Sequence, residues 1–257
     1  MLTLKNTRIT LASITVGGDS MIITVDTFEK YLGQKVRDPY GRIVGRIVSF
    51  YSDVSGIVSQ VEIEFKEDSF ETVPVSRIEI TKDGVVLLPE WKAEALELIR
   101  QLERARKRAL ALEELYSKGE VPRHAYDEFK KKLEIDLSRL HEKSREVKEM
   151  LNKRMASLEA MILHLEKALT ALRISYIAGE VGERSFKAAF EPLRNAREKA
   201  IEEKDDIKRV LERIKKLEAE PIEIRKEAVV PTRKPEEKKV ETPTERAEPI
   251  VVQVVGG

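Results

Sequence analysis

The chain has 257 residues, 47 basic against 46 acidic side chains, 36% charged residues and 5% aromatic ones. That balance gives no overall field to draw in DNA or anionic lipid, and a composition heavy in Lys, Glu, Leu and Ala fits long solvated helices rather than an enzyme of this length. With no cysteine, disulfides, thiolate nucleophiles and Cys-bound metals are excluded, and no run reaches the roughly 20 apolar residues of a membrane helix.

Residues 1–20 carry Lys5 and Arg8 ahead of Ile9 to Val16, but are too rich in Thr and Ser for a signal peptide. They read as an N-terminal extension or a start placed too early, with Met21 opening the first well-patterned segment.

Residues 21–89 read as five or six short strands of a small β-barrel. Val36, Ile43, Val44, Ile47, Val48, Ile57, Val58, Val61, Ile63 and Phe65 fall in β-rich runs. Val61 to Phe65 alternates apolar and polar, as a half-buried strand does. Asp38-Pro39-Tyr40-Gly41 is a turn signal, and Asp53, Gly56 and Asp83-Gly84 mark others. Gly41 and Gly45 form no phosphate loop and read as allowances for tight strand geometry.

From Trp91 the period changes. Trp91, Ala95, Leu98, Leu102, Ala105, Ala109, Leu112 and Tyr116 form a heptad seam. Gly119 stops this helix and Pro122 opens the next. The second helix, about 124–178, carries Tyr126, Phe129, Leu133, Leu137, Leu140, Ser144, Val147, Leu151, Met155, Leu158, Ile162, Leu165, Leu169, Leu172 and Tyr176. Its stripe stutters at Phe129-Leu133-Leu137 and Val147-Leu151-Met155. Such a helix runs roughly 80 Å and needs another along its flank. A third helix, about 183–219, places Phe186, Leu193, Ala200, Ile207, Leu211 and Ile214 on one side.

A shift of 60 residues superposes Leu98 on Leu158, Leu102 on Ile162, Leu112 on Leu172, Tyr116 on Tyr176, Tyr126 on Phe186 and Leu133 on Leu193. Gly119-Glu120-Val121 falls on Gly179-Glu180-Val181. In each copy the Val precedes an aromatic at the separation of a hydrophobic staple, so each corner is a formed turn. Two such corners give either three helices folded back antiparallel, the preferred arrangement, or rods that pair with another chain. Residues 91–219 are thus a coiled coil in which Leu98, Leu102, Leu112, Tyr116, Leu133, Leu158, Ile162, Leu165, Leu172, Tyr176 and Leu193 are the candidate assembly positions.

Residues 221–248, with Pro221, Pro231, Pro235 and Pro243 among Lys, Glu, Arg and Thr, read as a disordered linker. Residues 249–257 then read as a partner-binding strand peptide. Pro249, Ile250, Val251, Val252, Val254 and Val255 are its candidate contacts, with Ile250, Val252 and Val254 facing one way. Addition to a partner's sheet edge would bury three such side chains, for roughly 5–8 kcal/mol gross. Ordering the tail costs about 2–5 kcal/mol, which leaves single tails weak and displayed arrays strong. The other reading of this peptide is a strand folded back on the chain's own barrel.

Arg100, Arg104, Arg106, Lys107 and Arg108 form a basic cluster on the first helix, the candidate for nucleic-acid or lipid contact. No aromatic residues interleave with it as base-stacking platforms. His124, His141 and His164 have no ligand or catalytic spacing. The sequence therefore points to no catalytic residue, no cofactor site and no metal site.

The stretch Gly33-Gln34-Lys35-Val36-Arg37-Asp38-Pro39-Tyr40-Gly41-Arg42-Ile43-Val44-Gly45-Arg46-Ile47-Val48, with Thr72-Val73-Pro74-Val75, resembles the PRC-barrel family. A PRC barrel followed by a coiled coil, a Pro-rich linker and a terminal strand peptide resembles the CdvA family of archaeal cell division proteins, over residues 21–257. That resemblance implies an α+β protein and not an enzyme. It implies a homo-oligomer or filament in the cytoplasm, at the inner face of the membrane at mid-cell. The implied partner is the ESCRT-III-like protein CdvB, recruited through Pro249 to Val255 with Glu245 to Glu248 adding polar contacts. DNA association of the filaments is a further implication. The rival reading is a coiled-coil protein that organises DNA through the basic helix face.

Overall fold

The structure is a computed structural model that describes residues 23–66 and 68–219. The N-terminal extension, the linker and the terminal peptide therefore lie outside the described residues. The protein is α+β, with a six-stranded sheet followed by three long helices.

The strands are β1 (Lys35–Arg37), β2 (Ile43–Ser52), β3 (Val58–Lys66), β4 (Ser69–Pro74), β5 (Ile78–Thr81) and β6 (Gly84–Leu87). Their order is β4-β3-β2-β1-β6-β5, antiparallel throughout except for the parallel pair β1/β6. The end strands β4 and β5 form no ladder with each other among the described residues, so the expected barrel is present as a sheet whose closure is not seen. Alternation in β3 holds: Val61 and Ile63 are buried while Glu64 reaches Arg46 across the β2 pairing, at 2.6 Å. Gly45 is required by close approach, since a Cβ there would lie 2.5 Å from the Glu64 carbonyl oxygen. A short helix, α1 (Val25–Phe28), sets the fully buried Phe28 edge-on to Phe50 at 5.7 Å and so fills one face of the sheet.

β6 leads through Leu88 and Pro89 straight into α2 (Glu90–Ser117), followed by α3 (Arg123–Ile177) and α4 (Glu183–Ala219). All three helices fold within the one chain. Antiparallel α2/α3 contacts run from Glu94–Lys143 at 3.3 Å to the Tyr116–Tyr126 ring stack at 4.0 Å. Antiparallel α3/α4 contacts include Glu159–Lys204 at 3.2 Å and Glu166–Arg197 at 2.7 Å. α2 and α4 lie parallel where they meet, at Lys92–Asp206 and Glu103–Arg213. α3 is therefore the shared spine, covered by α2 over its first part and by α4 over its last. All three helices meet in a core that contains Leu98, Leu102, Val147, Leu151, Leu158, Ile207 and Ile214.

The stutter at Val147-Leu151-Met155 lies at this handover. Two successive steps of four rotate the apolar stripe, which lets one helix face a new partner. The other stutter carries Phe129 off the seam: it sits about 60° around the helix from Tyr126 and is 53% exposed.

The repeat is realised at both corners by the same pair of backbone hydrogen bonds. Glu120 N–H donates to the Leu115 carbonyl (3.0 Å) and Gly119 N–H to that of Tyr116 (3.0 Å). Glu180 N–H donates to Ser175 (2.9 Å) and Gly179 N–H to Tyr176 (3.1 Å). These are paired Schellman bonds, with the glycines at φ 73° and 76°. Across the corners Tyr116 stacks on Tyr126, and Tyr176 stacks on Phe186 at 4.3 Å. Val121 packs against the cluster that holds Tyr126, as a staple should.

Candidate functional site

The sheet is tied to the helices by a buried polar cluster. Its first part is the turn after β1. The Asp38 carboxylate accepts from the backbone N–H of Tyr40 (3.0 Å) and Arg42 (2.8 Å) and from Arg42 Nε (2.5 Å). This fixes the turn so that Tyr40 and Arg42 project onto α4. There Glu203 is wholly buried. It accepts from Arg42, from Trp91 Nε1 at 3.3 Å, and from Arg154 at 2.7 and 3.0 Å. One helical turn on, Asp206 accepts from the Tyr40 hydroxyl (2.9 Å) and Lys92 (2.7 Å). Lys199 closes the rim by donating to the Gly41 carbonyl at 3.1 Å.

Burial pushes the Glu203 carboxyl up, but hydrogen bonds from Arg154 and Arg42 outweigh it and hold the group below its usual range. Asp206 behaves alike: burial raises it, and Lys92 and Tyr40 more than reverse that. Burial raises Tyr40 well above its ordinary value, and its bond to Asp206 adds to the effect. The two α4 carboxylates of the cluster are thus held ionised by cations from the turn after β1, α2 and α3. Such a paired network fixes register and orientation more than it adds net stability. It locks the turn after β1 to α2, α3 and α4. Among the described residues no group of three or more His, Cys, Asp or Glu is placed to hold a metal ion.

The seam positions read from the sequence are used inside the chain. Leu98, Leu102, Leu112, Leu133, Leu158 and Leu165 are buried, and Tyr116, Ile162, Leu172 and Leu193 are half-buried. Tyr176 is 38% exposed, because α3 ends one residue later. In the single chain these side chains pack between α2, α3 and α4. The basic cluster divides. Arg106 turns to α4 and donates to the Leu217 carbonyl, while Arg100 pairs with Glu97. Arg104 and Arg108 line a shallow groove between α2 and α3 together with Arg139 and Lys143, against one acid, Asp136. The terminal peptide Pro249 to Val255 lies outside the described residues.

Sequence reading missed two sets. Arg139 and Lys143 join the basic groove only through the α2/α3 register. The lock was missed although it left a trace: Glu203 occupies the α4 seam between Ala200 and Ile207, where an acid is out of place unless paired.

A sheet locked onto a duplicated antiparallel helical hairpin defines a coiled-coil protein of the α+β class. The CdvA-like coiled-coil domain matches residues 90–238, which span α2, α3 and α4. The chain is 36% identical over 236 residues to Cell division protein A of Sulfolobus acidocaldarius, covering 91% of this chain and 99% of that protein. The chain belongs to the CdvA family. No solved structure matches it.

Proposed function

We propose that the chain is a cell-division scaffold. It assembles into filaments at the inner face of the membrane at mid-cell and recruits the ESCRT-III-like protein CdvB through Pro249 to Val255, by strand addition. It acts by assembly and recruitment rather than by catalysis, and its sheet is a small barrel of the PRC type. The match over 99% of a relative named Cell division protein A carries the reading. The lock supports it mechanically, since a sheet held by Glu203 and Asp206 cannot swing freely on α2 and each copy presents one defined geometry to its neighbours. No helix among the described residues is long and apolar enough to cross a membrane.

The test is capture of a CdvB winged-helix-like domain by the full chain, by the chain lacking residues 249–257, and by Val252→Asp. Binding is expected only with the intact peptide, with helical content equal in all three. Undiminished binding by either variant overturns the tail assignment.

The groove of Arg104, Arg108, Arg139 and Lys143 favours a second reading, contact with nucleic-acid phosphate. Phosphate binding weakens steeply with salt, whereas an apolar strand dock barely responds. A salt titration of binding to duplex DNA separates the two.

A further inference from the structure

α3 carries a second heptad stripe. Opposite its seam with α4, the residues Ala160, Leu163, Lys167, Thr170, Ile174 and Ile177 recur at steps of 3, 4, 3, 4 and 3. All six are exposed, Leu163 by 60%, Ile174 by 64% and Ile177 by 84%. Nothing in the hairpin itself requires this. The repeat supplies the control: the equivalent positions on α2, sixty residues earlier, are Arg100, Glu103, Lys107, Leu110, Glu114 and Ser117. In the first copy four of the six equivalent positions are charged, with Arg100 paired to Glu97 and Glu103 reaching Arg213 of α4. The second copy builds the same hairpin and replaces three of those four charges with Ala, Leu and Ile.

We propose that this stripe is a contact between copies of the chain, with α3 of one molecule lying antiparallel along α3 of another. The inference rests on the reading that copies assemble, and it names the face they use. Sustained steps of three and four are what two helices need to keep one seam in register, whereas a lipid surface needs only an apolar side. Charge sets the direction. A parallel, in-register pair stacks Lys167 on Lys167. The antiparallel pair places Lys167 opposite Thr170, Leu163 opposite Ile174, and small Ala160 opposite large Ile177. The stripe spans about 26 Å, and at a helix width near 10 Å it offers roughly 250 Å² per copy. A stable standalone interface takes about 800 Å² per partner. The contact is therefore weak for two free molecules and becomes effective among copies already held together.

The absence of native cysteine makes the test clean. Full-length Leu163→Cys and Ile174→Cys chains are oxidised separately and mixed. A cross-linked dimer is expected from the mixture and not from either variant alone, because like positions in the antiparallel pair are about 16 Å apart. Cross-linking of either variant with itself, or none where the wild-type chain assembles, overturns the proposal. In a second measurement, Leu163→Glu with Ile174→Glu is expected to raise the concentration needed for sedimentable assembly at least tenfold. Lys107→Gln, on the equivalent face of the first copy, should leave it unchanged. Circular dichroism checks that both remain helical. Unaltered assembly of the double variant overturns the proposal, as does loss of binding to anionic phospholipid vesicles with assembly intact. Deleting residues 249–257 should leave the cross-link in place, so a failure of recruitment and a failure of this contact are read separately.

Discussion

Glu94 joins α2 to Lys143 of α3 at 3.3 Å, and sixty residues later Arg154 of α3 joins Glu203 of α4 at 2.7 Å, with the charges exchanged. The repeat has kept an ion pair while reversing its polarity. In the first copy both partners are over a third exposed. In the second the acid is wholly buried, because Arg42 from the turn after β1 and Trp91 close over it. The seam is what the hairpin needs, so it is retained in both copies. The faces around it are free to change, so they have diverged: the first copy has a basic groove and charged residues where the second has an apolar stripe, and the second has a buried lock.

Four measurements sharpen or break that contrast. The largest effect is expected from Glu203→Gln, which leaves the Arg42 and Arg154 charges facing a neutral group. Loss of one partner of a buried pair costs about 3–5 kcal/mol, and partial exposure of both arginines places this case near about 3 kcal/mol. The denaturant midpoint reads it, and a change below about 1 kcal/mol would mean that the lock does not form.

The second is pH, followed through Trp91, the single tryptophan and itself a donor to Glu203. Glu203 and Asp206 titrate below their ordinary 4.5 and 3.8, so folding favours the charged forms. Their contribution is complete above roughly pH 5 and is lost as pH falls through the folded values. Tyr40 is raised above its ordinary 10.0, so its contribution is complete below that pH and is lost as pH rises towards the folded value. Trp91 emission should stay flat between these limits and shift to the red beyond each. A transition near neutrality contradicts the assignment.

The third compares the corners. Gly119→Ala and Gly179→Ala each place a Cβ in a left-handed residue with nothing within 4 Å, so only backbone strain is added. Each should cost about 1 kcal/mol, and about equally. A large inequality would show that the two corners are not equivalent turns. The smallest effect is expected for Lys143→Met, the counterpart of Glu203 in the first copy. Removing an exposed pair should change the denaturant midpoint by no more than about 0.5 kcal/mol.

Much of this was legible in the residue order. The seam from Trp91 to Tyr116, both Gly-Glu-Val corners, the Val121 staple and the alternation in β3 follow from local periodicity and turn chemistry, and each appears where the spacing puts it. The basic cluster on α2 was legible as composition but not as a surface. Arg106 leaves it for the end of α4, and Arg139 and Lys143 join it from α3, because a register between helices decides which charges share a groove.

Spacing by itself fixed the helices, their ends and their duplication, since a helix period and a glycine turn depend on neighbours a few residues apart. It could not choose between a hairpin and a pair of rods, because a seam reads the same whichever helix fills it. Nor could it give Glu203 its partners, because Arg42 and Arg154 lie 161 and 49 residues away. Only the folded chain decided these points: an isolated acid in a seam is a cost, and becomes a lock only where the tertiary fold brings two guanidinium groups and an indole N–H to meet it.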